Sequence, residues 1–248
     1  MAAVLASIAL VPGLALGSFL NVVVARVPLR RSIIHPGSAC MACGQPIAWY
    51  DNVPLLSYVL LRGRCRHCGA GIALRYPLIE LATGLLVAAS LLFFGLNATA
   101  LVAVVFCVAL VAISATDFEH RIIPNRVVLP AAAIVLAGRT VIDPSPEWAI
   151  AAVAAAGFLL VALLAYPGGM GMGDVKLALL LGAALGRTVP VALLLAMLAA
   201  LVPAVALLAR HGSAARKMAI PFGPFLALGG IVALFWGEAI LDAYLGLL

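Results

Sequence analysis

Eight apolar runs take up most of this chain, at about residues 1–25, 77–96, 98–116, 126–142, 148–166, 175–187, 189–209 and 222–246. A helix needs roughly 20 mostly apolar residues to cross the hydrocarbon core of a bilayer. Most of these runs reach or approach that length, and the sixth must recruit flanking residues. Only 10% of the residues are charged, where a soluble domain carries about 25%. Lipid must therefore cover most of the surface. Within lipid the backbone has to satisfy its own hydrogen bonds, which favours helices, and the runs lack the alternation of barrel strands. The fold class expected is an all-α polytopic membrane protein of about eight transmembrane helices. The first run lacks a basic leader, and its polar end (Asn21, Arg26) is C-terminal, so it reads as a retained span rather than a signal peptide.

Eight spans place both termini on one side, with the junctions near 97, 139–147 and 188. Those junctions carry Arg139 and Arg187 alone; the other face collects 13 of the 15 lysines and arginines. The positive-inside rule makes that basic face cytoplasmic. The same asymmetry accounts for the net charge of +6 without a nucleic-acid partner. Arg210, Arg216 and Lys217 are expected to belong to this basic face.

Residues 26–76 form the one long polar stretch and hold four of the five cysteines. Cys40-Met-Ala-Cys43 and Cys65-Arg-His-Cys68 are C-x2-C pairs of the kind that surround one tetrahedral Zn2+ with four thiolates. Gly44 and Gly69 follow them, as a tight turn requires. Disulfides are the competing reading, disfavoured in a reducing cytoplasm, and His67 is an alternative ligand. So small a loop has little core of its own, and a metal would staple it. Three segments are expected: a first transmembrane helix (1–25), a cytoplasmic tetracysteine zinc domain (26–76) and a seven-helix membrane domain (77–248). Cys107, in the middle of a span, reads as apolar filler.

Ionisable groups at the rim of spans are costly and therefore mark function. Asp117 closes the third run in "ISATDFEHRIIPN", and Asp174 opens the sixth in "GGMGMGDVK". The topology puts both at one depth on the cytoplasmic side, where paired carboxylates can share a proton and divide base and acid roles. Gly171 and Gly173 leave the backbone before Asp174 bare for an extended peptide, and Lys176 follows close behind. Helix polarity suggests an asymmetry: Asp174 sits at a helix N-terminus, which favours its charged form, and Asp117 near a C-terminus, which disfavours it.

"GMGD" with a distant partner aspartate resembles the GxGD intramembrane aspartyl proteases. "DFEHRIIPN" ahead of "GGMGMGDVKLALLLG" is similar to the type IV prepilin peptidases in particular. "GSFLNVVVARVP" at 17–28, "WYDNVPLLSYVLLRGRCRHCG" at 49–69 and "RYPLIELATG" at 75–84 extend the resemblance over nearly the whole chain. The one departure is Met41, where many relatives have proline after the first cysteine; the ligand set is intact.

The resemblance implies that Asp117 and Asp174 are the catalytic pair of a multi-pass enzyme of the bacterial inner membrane. Such an enzyme cuts the leader from type IV prepilins or type II secretion pseudopilins after a glycine, on the cytoplasmic side. Members with the cysteine loop also N-methylate the new amino terminus, commonly phenylalanine, with S-adenosylmethionine. No G-x-G-x-x-G follows a strand, so the usual dinucleotide-type cofactor fold is absent. Glu80 and Gly84 are the candidates for binding the methyl donor, with Asn21, Asp51, Asn52, Arg62, Arg64 and Tyr76 as further polar residues near the loop; the structural alternative for Glu80 is a pair with Arg75. A transporter with carboxylates at the membrane edge is the rival function. It would tend to show internal repeats and midplane charges, whereas the sequence shows no repeat and its two key aspartates lie at one edge.

Overall fold

The computed structural model describes residues 2–166, 169–212 and 220–247. Gly168, Arg216 and Lys217 lie outside the described residues. The long helices are α1 (Ala2–Arg26), α3 (Arg75–Phe94), α4 (Ala98–His120), α5 (Asn125–Ile142), α6 (Glu147–Ala165), α7 (Met172–Leu185), α8 (Val189–His211) and α9 (Gly223–Leu245). A short α2 (Leu56–Leu60) lies in the loop between α1 and α3. Among the described residues, seven stretches are long and apolar enough to cross a membrane. One of them, Met172–His211, contains both α7 and α8, so the eight expected helices are all present.

Two helices depart from the apolar runs by more than two residues at an end. The third run was bounded at 116, but α4 continues to His120, so Asp117 lies in its last turn. Helix geometry holds until Arg121, which adopts φ 53°, and Pro124 three residues later cannot continue the ladder. The sixth run was expected over 175–187, whereas α7 starts at Met172 and stops at Gly186. Its brevity has a packing reason. Ten of its 14 residues are buried, which makes it the inner helix of its unit.

The chain forms two compact units, Met1–Ala112 and Ile113–Leu248, with the boundary inside α4. In the first, α1 packs on α3. A Cβ on Gly13 would lie 2.9 Å from the Gly84 Cα, and one on Gly84 would lie 2.8 Å from a Leu14 methyl. This small-residue crossing brings two helices close where lipid offers no hydrophobic drive to join them. Cys107 is buried in the same unit, where its sulfur accepts from the Ser90 hydroxyl at 3.8 Å, in keeping with its reading as filler. In the second unit, α7 packs against α5, α6 and α9, and α8 against α9.

Candidate functional site

The loop of the first unit is built from two nearly identical turns. In one, the Cys40 amide donates to Gln45 O and the Gly44 amide donates back to Cys40 O, both at 2.9 Å. In the other, the Cys65 amide donates to Ala70 O at 2.8 Å and the Gly69 amide to Cys65 O at 2.9 Å. Gly44 and Gly69 stand at φ 70° and 71°, left-handed positions where a side chain would strain the backbone. The turns bring the sulfurs of Cys40, Cys43, Cys65 and Cys68 within 4.8 Å of one another. Cys40 and Cys68 sulfurs are 3.8 Å apart. A tetrahedral Zn2+ with bonds of about 2.3 Å separates its sulfurs by about 3.8 Å, so the cluster fits such an ion. All four cysteines are free, and His67 lies outside the four-sulfur group.

The thiols are already polarised. Backbone amides of Cys43 and Ala42 draw Cys40 down to about 6. The Ala70 amide favours a Cys68 thiolate, but desolvation and hydrogen bonds with the other three cysteines outweigh it and push that group up to about 11. Four thiols in one cluster cannot all ionise alone; a divalent cation would let them.

Beside this cluster is a cavity of about 590 Å³. It lies within the roughly 300–1,000 Å³ range of small-molecule sites. Asn21, Asp51, Asn52, Tyr76 and Glu80 all line it, whereas Arg62, Arg64 and Gly84 do not. Gly84 is instead buried at the α1–α3 crossing, where Leu10 and Leu14 fill the space a side chain would need. Asp51 takes a two-pronged ion pair from Arg66, with contacts of 2.6 and 2.8 Å. That guanidinium holds the Asp51 carboxyl below the usual carboxylate range. Asn21 donates to Tyr76 O at 3.2 Å, and Glu80 accepts the Leu55 amide at 2.9 Å. Arg75 hydrogen-bonds the Tyr76 hydroxyl and lies over its ring.

The second unit brings Asp117 and Asp174 together. They are 7% and 8% exposed, and Asp174 feels the charge of Asp117. Asp174 is the third residue of α7, and its Oδ2 accepts the Gly171 amide at 3.0 Å. Its own amide returns a bond to Gly171 O at 3.1 Å, a reciprocal helix cap. Asp117 Oδ2 accepts the Gly223 amide at 3.0 Å. Gly223 opens α9, so Asp117 also faces the N-terminus of a helix. The asymmetry expected from the residues' own helices is thus offset by a third helix that the sequence does not connect to Asp117.

Gly223 escaped the sequence reading. A Cβ there would lie 2.7 Å from Asp117 Oδ2. The available signal is "IPFGP" at 220–224, where two prolines flank the glycine at the start of the last run. The two expected glycines differ. Around Gly171 the nearest atom to a built Cβ is Asp174 Oδ2 at 3.6 Å, an ordinary contact, so this residue is open. At Gly173 the space is taken by Ile123, 2.9 Å away; that glycine admits the segment following Asp117. Lys176 donates to Asn125 Oδ1 at 2.8 Å, bridging the starts of α7 and α5.

Comparison with known proteins matches residues 11–94 to the bacterial peptidase A24 N-terminal domain and residues 104–205 to the type IV leader peptidase family. The chain is 40% identical to a prepilin leader peptidase/N-methyltransferase of Burkholderia pseudomallei (strain 1026b) over 92% of its length and 84% of the relative's. It is 36% identical to the protein of that description in Bacillus subtilis (strain 168), over 96% of this chain and 97% of the relative. For the Pseudomonas aeruginosa relative the figures are 36%, 94% and 91%. No solved structure matches the chain.

Proposed function

The chain belongs to the prepilin leader peptidase/N-methyltransferase family, and from that premise we propose that its two units carry the two activities. Ile113–Leu248 cleaves the leader of a type IV prepilin or type II secretion pseudopilin after a glycine, with Asp117 and Asp174 as the catalytic pair. Met1–Ala112 methylates the new amino terminus. The observation that carries the first assignment is that two buried carboxylates in one unit, distant in sequence, are each held by a glycine amide at 3.0 Å.

In this reading one aspartate, ionised, takes a proton from a water that attacks the scissile carbonyl. The other, protonated, hydrogen-bonds the carbonyl oxygen and returns a proton to the departing amine. The glycine amides fix one oxygen of each carboxylate and leave the other for water and substrate. Gly171, open on its outer side, gives an extended peptide access to Asp174. Lys176, tied to Asn125, holds the mouth of α7 in register with α5.

The tetracysteine cluster holds a structural Zn2+ through Cys40, Cys43, Cys65 and Cys68, which would tie the two turns together and supply stability rather than chemistry. S-adenosylmethionine occupies the adjoining cavity and, when bound, supplies an electrophilic methyl group. Asn21 and Tyr76 would bind and orient it, with Glu80 on the same wall of the cavity, while Gly84 serves the same site indirectly by seating α3 on α1. The basic residues orient the protein in the bacterial inner membrane with residues 26–76 and 210–220 cytoplasmic and 139–147 external. A prepilin has a basic leader and an apolar helix, so its scissile bond lies at that cytoplasmic rim. Labelling intact cells decides the orientation: a cysteine introduced at position 143 reacts from outside and one at position 214 does not.

The test of the function is a pair of assays on one detergent-purified preparation. The wild type should cleave a prepilin and should methylate a pre-cleaved peptide. Failure to cleave would favour the transporter reading.

A further inference from the structure

Most charged groups lining the cavity of the first unit are already answered. Asp51 is paired with Arg66. Arg26 donates to Ser32 O and Gly37 O at 3.1 and 3.2 Å. Glu80 differs. It is 9% exposed, and its hydrogen-bond partners, the Leu55 amide and the Ser18 hydroxyl, are neutral. A carboxylate offers about four acceptor positions, so two donors leave room for more. Its position is rigid: a Cβ on Gly17 would lie 2.6 Å from the Glu80 Cα, so α1 presses against its base. Leu55, which supplies the amide, is held at φ 58°, a left-handed conformation costly for leucine. The fold thus maintains a strained turn that aims one neutral donor at a buried carboxylate and provides no cation for it among the described residues. A buried carboxylate with no positive partner is unfavourable unless a ligand brings one.

We infer that Glu80 is the receptor for a primary ammonium, the new amino terminus of the cleaved substrate, and takes the proton that leaves before methylation. This rests on the methylation reading above. The other cation the cavity would hold is a sulfonium. That group has no N–H to donate and no proton to release, so the acceptor positions of a carboxylate match an ammonium better.

The step balances. An ammonium N–H bond breaks, its electron pair stays on nitrogen, and the proton joins a Glu80 oxygen. The nitrogen lone pair then forms the new N–CH3 bond as the sulfur–methyl bond breaks, with that bond's pair remaining on sulfur. The products are a secondary ammonium and a neutral thioether, and Glu80 returns its proton to water.

Binding to the full-length, metal-replete protein tests this without turnover. A peptide with a free amino-terminal phenylalanine is compared with its N-acetylated twin, and S-adenosylmethionine affinity is measured on the same samples. The wild type should prefer the free amine by about tenfold or more, equivalent to about 1.4 kcal/mol. Glu80→Gln should lose that preference and keep its affinity for the methyl donor, and Glu80→Asp, which retains the charge, should recover part of the preference. Persistence of the preference in Glu80→Gln overturns the assignment. So does loss of S-adenosylmethionine binding in both variants with their metal retained, which would turn the carboxylate toward the sulfonium. A wild type that neither binds S-adenosylmethionine nor methylates would instead refute the underlying methylation reading.

Discussion

The four sulfurs of Met1–Ala112 are gathered by a loop, and the two buried carboxylates of Ile113–Leu248 by helix ends. In the first unit, two turns with positive-φ glycines converge four sulfurs, and an Asp51–Arg66 pair links the short 3-10 helix at Trp49–Asn52 to the second turn. Short-range chemistry does this work, since each turn closes through its own backbone hydrogen bonds. In the second unit the site's carboxylates sit at helix ends. Asp117 is in the last turn of α4, Asp174 in the first turn of α7, and the amide that meets Asp117 opens α9. Three segments far apart in sequence must pack correctly before the carboxylates meet. A site of the first kind closes locally, and the proposed zinc would staple it, so that removing the metal would loosen it. A site of the second kind is as good as its helix packing and fails when a methyl group intrudes.

The largest effect that bears on this contrast is Asp117→Asn or Asp174→Asn. Each should lower prepilin cleavage by about 10²–10⁴-fold, the range general acid–base groups contribute. Methylation of a pre-cleaved peptide should survive both changes. A mutant that still cleaves near the wild-type rate removes that residue from the catalytic pair, and a loss of both activities would break the division between units.

Gly223→Ala should come next. Its Cβ would meet Asp117 Oδ2 at 2.7 Å, displacing the carboxylate while leaving its chemistry intact. Displacements on the ångström scale can cost up to about 100-fold, and the loss should appear in kcat for cleavage while methylation is spared. Equal cleavage by the alanine variant would mean that the α9 contact does not hold Asp117 in its working position.

Cys40→Ser probes the other kind of site. Removing a ligand should reduce bound zinc, measured by elemental analysis, and methylation should fall by at least the roughly 10–100-fold seen when a metal's surroundings are disturbed. Cleavage should fall less. If a reduced wild-type preparation contains no metal, the staple is not zinc and the contrast has to be rebuilt on hydrogen bonding alone.

The smallest effect is expected at Asp51→Asn, because the Asp51–Arg66 pair is accessible to water and screened. Its folded carboxyl lies below the ordinary value near 3.9, so the pair's contribution is fully present above about pH 4 and is lost as pH falls through the lower folded value. Melting curves of wild type and variant should therefore differ slightly at neutral pH and converge on acidification. A difference that grows on acidification would show that the pair is not what holds this corner.

The sequence by itself determined the parts that depend on composition and on local spacing. Too few charges to solvate a surface mean lipid, and lipid means helices, so the eight runs were legible within a few residues. The C-x2-C-Gly pattern prescribes its own turns, so the sulfur cluster was legible too. Asp117 and Asp174 stood out because a carboxylate at the rim of an apolar run is expensive wherever the run packs. Other features became visible only in the tertiary structure, because they are contacts between segments that share no local pattern. The Gly223 amide facing Asp117 is one, and it offsets a charge asymmetry that reads correctly from each helix alone. The division of the polar candidates is another: Asn21, Asp51, Asn52, Tyr76 and Glu80 meet at one cavity, while Gly84 proves to be a packing surface for α1. The same holds for Gly173, bare in the sequence and filled by Ile123 in the fold. A glycine in a sequence records only that a side chain is missing there; which neighbour uses the space is decided when helices distant along the chain come within van der Waals contact.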